Sequence, residues 1–445
     1  MIHSITRNDK EKFPTLTDTG RQMLMFLKEH PNAPIFHDES GNCQTPEDLV
    51  FLRDYCAKMV DAPIVAGYEK PWLDDFLETS IRTVPYYRNY GSQPKRLSDW
   101  PTISREELSA DITRFVPDHQ PTERLIHYKT SGTSGHPLLV PSHPRVAGCY
   151  LAYQLRALKR FGITLKHRAG KVGVVILGFQ RACFTYVSVT PLLNESGLSK
   201  INLHPDDWRR PGDRNKYLEA LDAEVVAGDP ISFLELLRLG PAISPRAIFS
   251  TAMTLETGLR KQLEERYRCP VLDFYSLNEA GPIAVYDPAL GGHVLLQPRM
   301  VVEILDDHQE PLLPGERGEI TLTGGFNFCL PLVRYRTGDY ASLAWRGGEP
   351  VLIDFHGRPP VCFAAADGRQ INNVDVTHVL APLALNQYTL HQRKNGEIQF
   401  TGVNINGKEE IIGQTLKSLF GTERSITIAS VDSFPGKVIQ YTREQ

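Results

Sequence analysis

The chain has 445 residues, of which 41% are hydrophobic and 23% are charged, and its formal net charge is −3. A chain of this length can bury a sizeable core, and it fits either about three domains of typical size or one large α/β unit with a small satellite domain. The near-neutral charge, without an aromatic and basic stripe, argues against a nucleic-acid-binding protein. The 14 histidines include no H-E-x-x-H pair, so a metalloenzyme is not expected either.

Nothing in the sequence predicts a membrane-bound or secreted protein. The first 16 residues are polar and charged without an apolar segment, and the longest apolar run, at 172–177, is far too short to span a bilayer. The seven cysteines are scattered without a C-x-x-C pair, which is typical of a reduced compartment. We therefore expect a cytoplasmic protein.

The region from residue 1 to about 118 is predicted to be helical. The sequence T-P-E-D at 45–48 supplies an N-cap hydroxyl, a proline and an acid ahead of an apolar run at 49–60. The sequence S-R-E-E at 104–107 repeats this capping pattern, and an amphipathic segment at 72–82 ends before a proline. We expect this region to contribute packing rather than chemistry.

From about 119 to 291, short apolar runs alternate with helical patterns. The runs of strand length lie at 171–177, 223–227, 247–250 and 271–275. Helices are predicted at 231–239 and after Thr254, which is expected to be an N-cap. This alternation predicts an α/β core in which helices cover a mostly parallel sheet.

The residues that follow these strands are expected to share one crevice, because ligands of such sheets bind beyond the carboxyl ends of the strands. The positions concerned are Phe179 with Gln180 and Arg181, Asp229, Ser250 with Thr251, Ala252 and Met253, and Ser276 to Glu279.

The last third of the chain has a different pattern. Strands without intervening helices at 301–305, 319–323 and 340–344 predict a small antiparallel subdomain at about 292–356. Residues 357–445 are predicted to form a compact α+β lid, with hairpin turns at the Asp-Gly pair 367–368 and the Asn-Gly pair 395–396. Its helices are expected after Asn373 and at 408–420, and a further strand at 426–431.

A run of small residues between the helical region and the α/β core suggests an anion site. It consists of Thr130, Ser131, Gly132, Thr133, Ser134 and Gly135. Their hydroxyls and backbone N–H groups can converge on one polyphosphate, although the run matches neither a P-loop nor a nucleophile elbow. A flexible surface loop is the alternative interpretation.

Three further residues complete a pattern with this loop. They are Glu279 after a strand, Asp339, which is expected to end a strand beside a glycine, and Lys437 on a glycine-preceded loop near the C-terminus. Taken singly, each has a structural explanation, as a helix-start acid, a turn former or a solvated charge. Their order along the chain favours a common function.

With these motifs in this order, the chain resembles the acyl-adenylate-forming (AMP-forming) ligase superfamily, and within it the phenylacetate–CoA ligase-like family. The resemblance spans nearly the whole chain. It rests on V-P-Y-Y-R at 84–88, the loop at 130–137, Y-S-L-N-E-A-G-P at 275–282, R-Y-R-T-G-D at 334–339, G-R at 357–358 and G-K at 436–437.

The resemblance implies an N-terminal adenylation domain at 1–356, a mobile C-terminal lid at 357–445, and the cofactors ATP and Mg²⁺. Lys437 and Glu279 are implied to be catalytic, with Glu279 holding Mg²⁺, Tyr275 lying against adenine and Asp339 accepting the ribose hydroxyls. The residues implied to bind ATP or AMP are Thr130, Ser131, Gly132, Thr133, Ser134, Gly135, Ser250, Thr251, Ala252, Tyr275, Ser276, Asn278, Asp339 and Arg358. The residues implied to line the substrate pocket are Phe179, Gln180, Arg181, Asp229, Ala280 and Gly281.

The resemblance also implies the reaction: ATP-dependent conversion of a carboxylic acid, expected to be aryl or arylacetic, to an acyl-adenylate, followed by transfer to an acceptor. CoA is the expected acceptor. His136, Pro359 and Gln440 depart from the family pattern, which leaves an amine or a carrier protein open as the acceptor, as well as a non-ligase descendant of the fold. A homodimer is compatible with the resemblance, and neither a membrane nor a nucleic acid is expected as a partner.

Overall fold

The computed structural model describes residues 9–65, 70–89, 96–120, 122–129, 138–166, 170–356, 361–383, 385, 388–403, 405–432 and 440–444. The chain divides into two compact units. The larger, which we call the core unit, comprises Met1–Tyr128, Val140–Gly178 and Phe184–Arg358. The smaller, which we call the small unit, comprises Lys129–Leu139, Phe179–Cys183 and Pro359–Gln445. The domain boundary that the sequence predicts between 356 and 357 stays a prediction.

The described residues form α-helices, 3₁₀ helices and strands. The α-helices are α1 (Asp9–Lys12), α2 (Asp18–Glu29), α3 (Pro46–Met59), α4 (Leu73–Thr83), α5 (Pro85–Arg88), α6 (Arg105–Ala110), α7 (Pro144–Arg160), α8 (Asp213–Leu221), α9 (Pro230–Leu239), α10 (Thr257–Tyr267), α11 (Asn373–Leu380) and α12 (Glu409–Phe420). The 3₁₀ helices are Leu97–Asp99, Ile112–Phe115, Thr122–Arg124, Pro191–Leu193, Pro205–Asp207 and Ala381–Leu383. The strands are β1 (Ile126–Lys129), β2 (Leu139–Ser142), β3 (Val172–Gly178), β4 (Tyr186–Thr190), β5 (Ser196–Asn202), β6 (Val225–Gly228), β7 (Ala247–Ser250), β8 (Val271–Leu277), β9 (Gly281–Asp287), β10 (Gly292–Leu295), β11 (Met300–Leu305), β12 (Arg317–Gly324), β13 (Leu332–Arg346), β14 (Glu349–His356), β15 (Cys362–Ala364), β16 (Gln370–Asn372), β17 (Tyr388–Gln392), β18 (Ile398–Val403), β19 (Ile426–Val431) and β20 (Tyr441–Arg443).

The first helices of the core unit begin where the capping patterns predict. Thr45 caps α3, and its hydroxyl and the Asp48 carboxylate form a reciprocal capping box ahead of Pro46. Ser104 and Glu107 form the same arrangement at the start of α6. None of the helices within the described residues is long and apolar enough to cross a bilayer.

The buried carboxylate of Asp48 also ties α3 to the residues that flank β1 and β2. It accepts hydrogen bonds from Arg124, which precedes β1, and from Arg145 Nε at 2.6 Å, which follows β2. Burial raises the pKa of Asp48, but the hydrogen bonds from Arg124, the Thr45 N–H and Arg145 outweigh this effect and lower the pKa to about 2. Asp48 is therefore ionised throughout the physiological pH range.

A twelve-stranded mixed sheet forms the centre of the core unit. Its strand order is β11-β12-β13-β14-β10-β9-β8-β7-β6-β3-β5-β4. The strands β8, β7, β6, β3 and β5 are parallel neighbours, as the alternating pattern predicts. This mixed α/β architecture agrees with the predicted fold class.

The antiparallel strands extend this sheet, whereas the sequence predicts them as a separate subdomain. Strand β9 pairs antiparallel with β8, and β10, β14, β13, β12 and β11 follow in turn. Pairing with β9 continues the sheet beyond β8, so the two regions share one hydrogen-bonded ladder.

Helix α7 covers the junction between the parallel and antiparallel strands. Tyr153 and Ala157 of α7 lie in one apolar cluster with Phe249 of β7, Phe274 of β8 and Val285 of β9. All five side chains are buried, so the junction behind the strand ends is part of the main core.

Two predicted elements have different bounds in the structure. The prediction that Thr254 caps a helix is wrong: α10 begins at Thr257, and its N-cap Glu256 makes no side-chain capping bond. The predicted strand end at Asp339 is also wrong, because one continuous strand, β13, runs through this residue. Gly338, which has a positive φ, forms a bulge inside β13, so the strand continues past the position where the sequence predicts its end.

The small unit is an α+β structure with its own core. The Asp-Gly pair at 367–368 lies between the paired strands β15 and β16, and the Asn-Gly pair at 395–396 lies between β17 and β18, as predicted. The second sheet has the order β19-β18-β17-β20. Phe363, Phe400 and Leu416 are buried in the apolar cluster between the strands and the two helices of this unit.

Candidate nucleotide site

Glu279 lies in the turn between β8 and β9 and is almost completely buried, with 2% of its surface exposed. Its Oε1 accepts a hydrogen bond from the Tyr335 hydroxyl at 2.6 Å and an ion-paired hydrogen bond from Arg105 Nη1 at 2.8 Å. A buried carboxylate is costly unless it is paired and hydrogen-bonded, and these two donors meet both requirements.

The backbone brings Arg105 to this carboxylate. Ile103 forms a bridge to Tyr335 of β13: its N–H donates to the Arg334 carbonyl at 3.0 Å, and its carbonyl accepts from the Arg336 N–H at 2.8 Å. The segment just before α6 therefore lies along β13, and Arg105 is the first residue of α6. The helical region thus supplies an ion-pair partner to a predicted site residue, and the expectation that it contributes packing rather than chemistry stays a prediction.

Tyr335 is a permanent hydrogen-bond donor to Glu279. Burial and the neighbouring carboxylate charge of Glu279 raise the pKa of its phenol well above the ordinary value. The phenol therefore keeps its proton at neutral pH and donates a hydrogen bond to the carboxylate.

A second tyrosine and acid pair joins β8 to β13. The hydroxyl of Tyr275, in β8, donates to Asp339 Oδ2, in β13, at 3.1 Å. Burial and the Asp339 charge raise the pKa of Tyr275 well above its ordinary value. The Tyr275 ring lies 4.5 Å, between centroids, from the ring of Phe355 in β14. The structure therefore brings the predicted nucleotide residues Tyr275 and Asp339 into direct contact.

Asp339 follows a bulge in β13. Gly338 has a φ of 76°, and its N–H donates to Glu319 Oε1 at 2.9 Å, while Arg336 Nε donates to Glu319 Oε2 at 2.8 Å. The Asp339 N–H donates to Thr337 Oγ1 at 3.1 Å. Bulges of this kind redirect side chains next to functional sites, and this one leaves Asp339 half-buried.

The end of β7 carries two unusual features at positions predicted to bind nucleotide. Ser250 is fully buried, and in the described part of the chain its hydroxyl has no hydrogen-bond partner. Ala252 has a φ of 72°, a left-handed conformation that is uncommon for a residue other than glycine. The Thr251 N–H between them donates to the Gly228 carbonyl at 3.0 Å. Strained residues and orphaned hydroxyls of this kind concentrate at ligand sites.

Two of the predicted substrate-pocket residues pack against an aromatic cluster. Gly281 has a φ of 72°, and a Cβ at this position would lie 2.3 Å from Phe326 Cζ. The Phe326 ring lies 5.1 Å, between centroids, from the ring of Tyr150 on α7. The Tyr150 hydroxyl donates to the Asn278 carbonyl at 3.4 Å, and Ala280 is buried next to this turn.

Asp229 has a structural task in the fold. It is the N-cap of α9, and its Oδ1 accepts from the Ser232 N–H at 2.8 Å. Burial raises the pKa of its carboxyl above the ordinary value. This capping bond explains an acid at this position, and the predicted contact with substrate stays a prediction.

The remaining predicted residues lie elsewhere. Phe179, Gln180 and Arg181 belong to the small unit, where the Arg181 N–H donates to Asp375 Oδ1 at 2.7 Å. Ser276 and Asn278 follow in the chain from Tyr275, half-buried and exposed respectively. Outside the described residues lie Thr130, Ser131, Gly132, Thr133, Ser134, Gly135, His136, Arg358, Pro359 and Lys437. The roles implied for all of these residues stay predictions.

The magnesium ion that the resemblance implies would need ligands around Glu279. Within the described residues, no group of three or more His, Cys, Asp or Glu side chains could hold a metal ion. An ion that binds mainly to nucleotide phosphates needs only one or two protein carboxylates. Oε1 of Glu279 accepts from Arg105 and Tyr335, so within the described residues this carboxylate could offer a metal ion its other oxygen, Oε2.

Sequence reasoning missed Arg105, Tyr335 and Tyr150. Tyr335 lies inside the R-Y-R-T-G-D run, so the motif contained it, but only the acid at its end was assigned a role. Arg105 lies 174 residues from Glu279, and the signal at its position was a helix N-cap pattern. Only the pairing of the segment before α6 with β13 reveals its role.

Comparison with solved structures assigns the fold. The chain is similar to a crystal structure of 2-hydroxyisobutyryl-CoA ligase in complex with 2-HIB-AMP and CoA in the thioesterification state. The TM-score is 0.54 at 14% identity, and the match covers 89% of this chain and 90% of that chain. A structure of the same ligase in the postadenylation state, in complex with 2-HIB-AMP, gives a TM-score of 0.50 at 14% identity, covering 83% and 88% of the two chains. The protein therefore has the fold of an acid–CoA ligase.

Sequence comparison matches a short stretch of the chain. The chain is 34% identical to the phenylacetate-coenzyme A ligase of Escherichia coli (strain K12) over 89 residues, which are 19% of this chain and 20% of that protein. The aligned part thus spans about a fifth of the length of this curated relative. No family model matches the sequence. The predicted resemblance to phenylacetate–CoA ligase-like, AMP-forming ligases is confirmed in the fold and over this stretch.

Proposed function

We propose that the protein is an ATP-dependent ligase that converts a carboxylic acid to an acyl-adenylate and then transfers the acyl group to CoA. One observation carries the proposal. Two acids from separate sequence motifs, Glu279 and Asp339, are both held by tyrosines on the same pair of strands, through the bonds from Tyr335 and Tyr275. The acyl-CoA ligase fold supports it independently.

In the first step, an oxygen of the substrate carboxylate attacks the α-phosphorus of ATP. The bond from that phosphorus to the bridging oxygen of pyrophosphate breaks, and pyrophosphate leaves with the electron pair. Because one anion must approach another, the main task of the protein is to position the reactants and to balance their charge. Arg105 is the cation that the core unit supplies next to Glu279. Lys437, which lies outside the described residues, is proposed to bridge the α-phosphate and the carboxylate.

The nucleotide is proposed to lie across the ends of β7 and β8 and the bulge at Asp339 in β13. The half-buried carboxylate of Asp339 can accept hydrogen bonds from ribose hydroxyls, and the donor from Tyr275 fixes its orientation. The orphaned hydroxyl of Ser250 and the left-handed backbone at Ala252 support a ligand near the end of β7. The hydroxyl and glycine run at 130–135 is proposed to hold the β- and γ-phosphates.

We assign no step to Mg²⁺. The ion that the resemblance implies would have Glu279 as its single described ligand, and Arg105 already balances this carboxylate. The magnesium-binding role of Glu279 stays a prediction.

In the second step, the acceptor attacks the acyl carbon of the adenylate and AMP leaves. CoA is the proposed acceptor because the structural neighbour was solved with CoA and the curated relative is named as a CoA ligase. Attack by the thiol sulfur forms the thioester, and the thiol proton is released. An amine or a carrier protein as the acceptor is an outcome that the experiment below separates from CoA.

The acid is proposed to be aromatic. The Phe326 and Tyr150 rings lie against Gly281 and the turn that carries Glu279, and they can offer a flat apolar surface. Aliphatic 2-hydroxy acids are a useful comparison, because the structural neighbour is a 2-hydroxyisobutyryl-CoA ligase. A cytoplasmic location is part of this proposal.

The test is a panel of carboxylic acids, aryl, arylacetic and aliphatic, scored for acid-dependent release of pyrophosphate from ATP, with and without CoA. We expect release with aryl or arylacetic acids and a CoA thioester when CoA is present. Pyrophosphate release without a thioester would remove CoA as the acceptor. No release with any acid would overturn the ligase proposal.

A variant extends this test to the C-terminal lysine. Lys437→Ala is expected to lose most of the pyrophosphate release while keeping the circular dichroism spectrum and unfolding temperature of the unaltered chain. Unchanged release in this variant would contradict the role proposed for Lys437.

A further inference from the structure

The small unit contains a cleft of about 690 Å³ whose lining is polar and apolar in about equal parts, and most of its charged side chains are cationic. We call it the basic cleft. Its cationic residues are Arg393, Lys394, Arg424 and Arg443. Among the described residues that line it, the acidic side chain is Glu444. A concave site of this volume is in the range typical of small-molecule sites.

The floor of the basic cleft is fixed by hydrogen bonds between strands. The buried side-chain amide of Gln392, at the end of β17, accepts from the Ala364 N–H at 2.8 Å and donates to the Ala364 carbonyl at 2.8 Å. Arg424 donates from Nη2 to the Ala365 carbonyl at 2.8 Å. These bonds hold β15 against β17, so the cleft is preformed.

Three of the four cationic side chains of the cleft lie on β20 and in the turn after β17. Strand β20 pairs parallel with β17, which places Arg443 opposite Gln392, and Arg443 Nη1 donates to the Cys362 carbonyl at 2.7 Å. Arg393 and Lys394 are exposed in the turn that follows β17. Arg393 Nη1 lies 3.6 Å from Glu397 Oε2. The ion pairs within the described part of the chain leave the Lys394 ammonium without a carboxylate partner.

The acid of the cleft does not cancel this charge. Glu444 Oε2 accepts from the backbone N–H of Lys394 at 2.9 Å, and its other carboxylate oxygen lies 3.4 Å from His391 Nε2. The first of these bonds, followed by the second, lowers the pKa of Glu444 below its ordinary value. Glu444 and Glu397, the acid that pairs with Arg393, place two carboxylates against four cationic side chains, so the cleft keeps a net positive charge.

We propose that the basic cleft binds the phosphate groups of a small phosphorylated ligand. Guanidinium groups match phosphate oxygens as paired donors, and an ammonium adds a point charge. A concave pocket that is closed by a turn suits a compact polyanion better than the extended surface of an acidic protein. The choice of ligand rests on the proposed function, whose reactants supply two sources: the phosphorylated nucleotide end of CoA, and ATP with its product pyrophosphate.

The experiment uses the full chain and direct binding of two probes, measured by isothermal titration calorimetry. Adenosine 3′,5′-bisphosphate represents the phosphorylated end of CoA, and pyrophosphate represents the other source. Lys394→Glu reverses the charge of an exposed side chain that makes no ion pair in the described part of the chain. Lys417→Glu makes the same change on the exposed face of α12, away from the cleft, and is the control.

We expect at least one probe to bind about tenfold more weakly to Lys394→Glu, whereas binding to Lys417→Glu stays as in the unaltered chain. A loss confined to the bisphosphate assigns the cleft to CoA, and a loss confined to pyrophosphate assigns it to the nucleotide source. The affinity is also expected to fall as salt concentration rises. Retained circular dichroism spectra show that both variants are folded.

Three results would overturn the inference. In the first, neither probe binds to the unaltered chain. In the second, each probe binds equally well to Lys394→Glu and to Lys417→Glu. In the third, an acidic carrier protein binds in a way that depends on Lys394, but neither probe does. Acid-dependent pyrophosphate release by the unaltered chain is measured separately. A chain that releases pyrophosphate but fails the binding test refutes the cleft alone, and one that binds a probe but releases no pyrophosphate refutes the ligase proposal alone.

Discussion

The buried hydrogen bond from Tyr335 to Glu279 allows a quantitative test of the site. Tyr335→Phe removes one hydroxyl and keeps the ring, which is completely buried in β13. Glu279 Oε1 then loses its 2.6 Å donor and keeps Arg105. The substitution therefore removes one of the two interactions that stabilise this buried carboxylate and leaves the other in place.

The expected cost follows from the nature of this bond. A hydrogen bond to a charged group contributes about 1.5–3 kcal/mol, and burial of both partners prevents water from replacing the lost donor. Tyr86→Phe is a matched control, because the Tyr86 hydroxyl donates to Glu107 Oε1 at 2.9 Å in an exposed position. There, the expected cost in the free energy of unfolding is below about 1 kcal/mol.

Urea denaturation of both variants measures these costs, and acid-dependent pyrophosphate release measures the effect on the site. We expect Tyr335→Phe to destabilise the protein more than Tyr86→Phe and also to lower kcat/KM for ATP, because Glu279 is less firmly held. Equal destabilisation by the two variants would refute the energetic reasoning. Unchanged kcat/KM in Tyr335→Phe would refute the assignment of Glu279 to the nucleotide site.

Three further predictions concern other parts of the core unit. Gly281→Ala is expected to lower the free energy of unfolding by about 2–4 kcal/mol in urea denaturation, because a Cβ would lie 2.3 Å from Phe326. Gly338→Ala is the control: Gly338 has a similar φ of 76° but no atom within 4 Å, so the expected cost is about 1–2 kcal/mol. Equal costs for the two variants would contradict the steric argument. Asp48→Asn is expected to cost about 3–5 kcal/mol at pH 7. Only the ionised carboxylate of Asp48 stabilises the fold. The difference in free energy of unfolding between the variant and the unaltered chain should therefore be complete above the ordinary pKa of 3.8 and shrink as the pH falls towards about 2. A free-energy difference that stays constant over this pH range would contradict the pKa argument. Asp339→Asn is expected to raise KM for ATP about tenfold with little change in kcat, and an unchanged KM would refute ribose binding by this residue.

Local signals in the sequence predicted much of the fold. The hydroxyl and acid pairs at 45–48 and 104–107 define helix starts because they satisfy backbone N–H groups within one turn. The Asn-Gly and Asp-Gly pairs define hairpins because they supply the positive φ that the turn needs, as Gly368 at 84° and Gly396 at 87° show. Each signal acts between residues a few positions apart, so neighbouring residues are enough to recognise it.

Non-local pairing could not be predicted in the same way. The continuation of the parallel strands into β9 and the antiparallel strands depends on which edge of β8 is available, and no local pattern records that choice. The interruption at Asp339 was predicted as a strand end, although Glu319 holds a bulge there and the strand continues. A glycine with positive φ is compatible with both outcomes, so the residue type alone does not decide between them.

Within the candidate site, the acids were predictable and their partners were not. Glu279 and Asp339 stand out because an acid that follows a strand is conspicuous in the sequence. In the sequence, by contrast, Tyr335 looks like an ordinary core residue. It pairs with Glu279 only because the fold brings β13 next to the turn after β8. Tyrosine is equally suited to packing and to donating a hydrogen bond, so only the fold identifies its role.

The position of Arg105 changes how the helical region before residue 118 should be understood. Arg105 begins α6 in that region, yet within the described residues its guanidinium is the only cation that pairs with the buried Glu279 carboxylate. Removing one partner of a buried ion pair costs about 3–5 kcal/mol, because the other charge is left uncompensated. Within the core unit, the turn after β8 thus depends energetically on a residue of the helical region, and the helical region and the large sheet cannot behave as independent modules. Arg105→Gln, which keeps a hydrogen-bond donor but removes the charge, should therefore lower the stability of the unit that contains Glu279. Combined with Tyr335→Phe, it should show a non-additive cost in urea denaturation, since both donors bind the same oxygen. Additive costs would show that the two donors act on Glu279 independently.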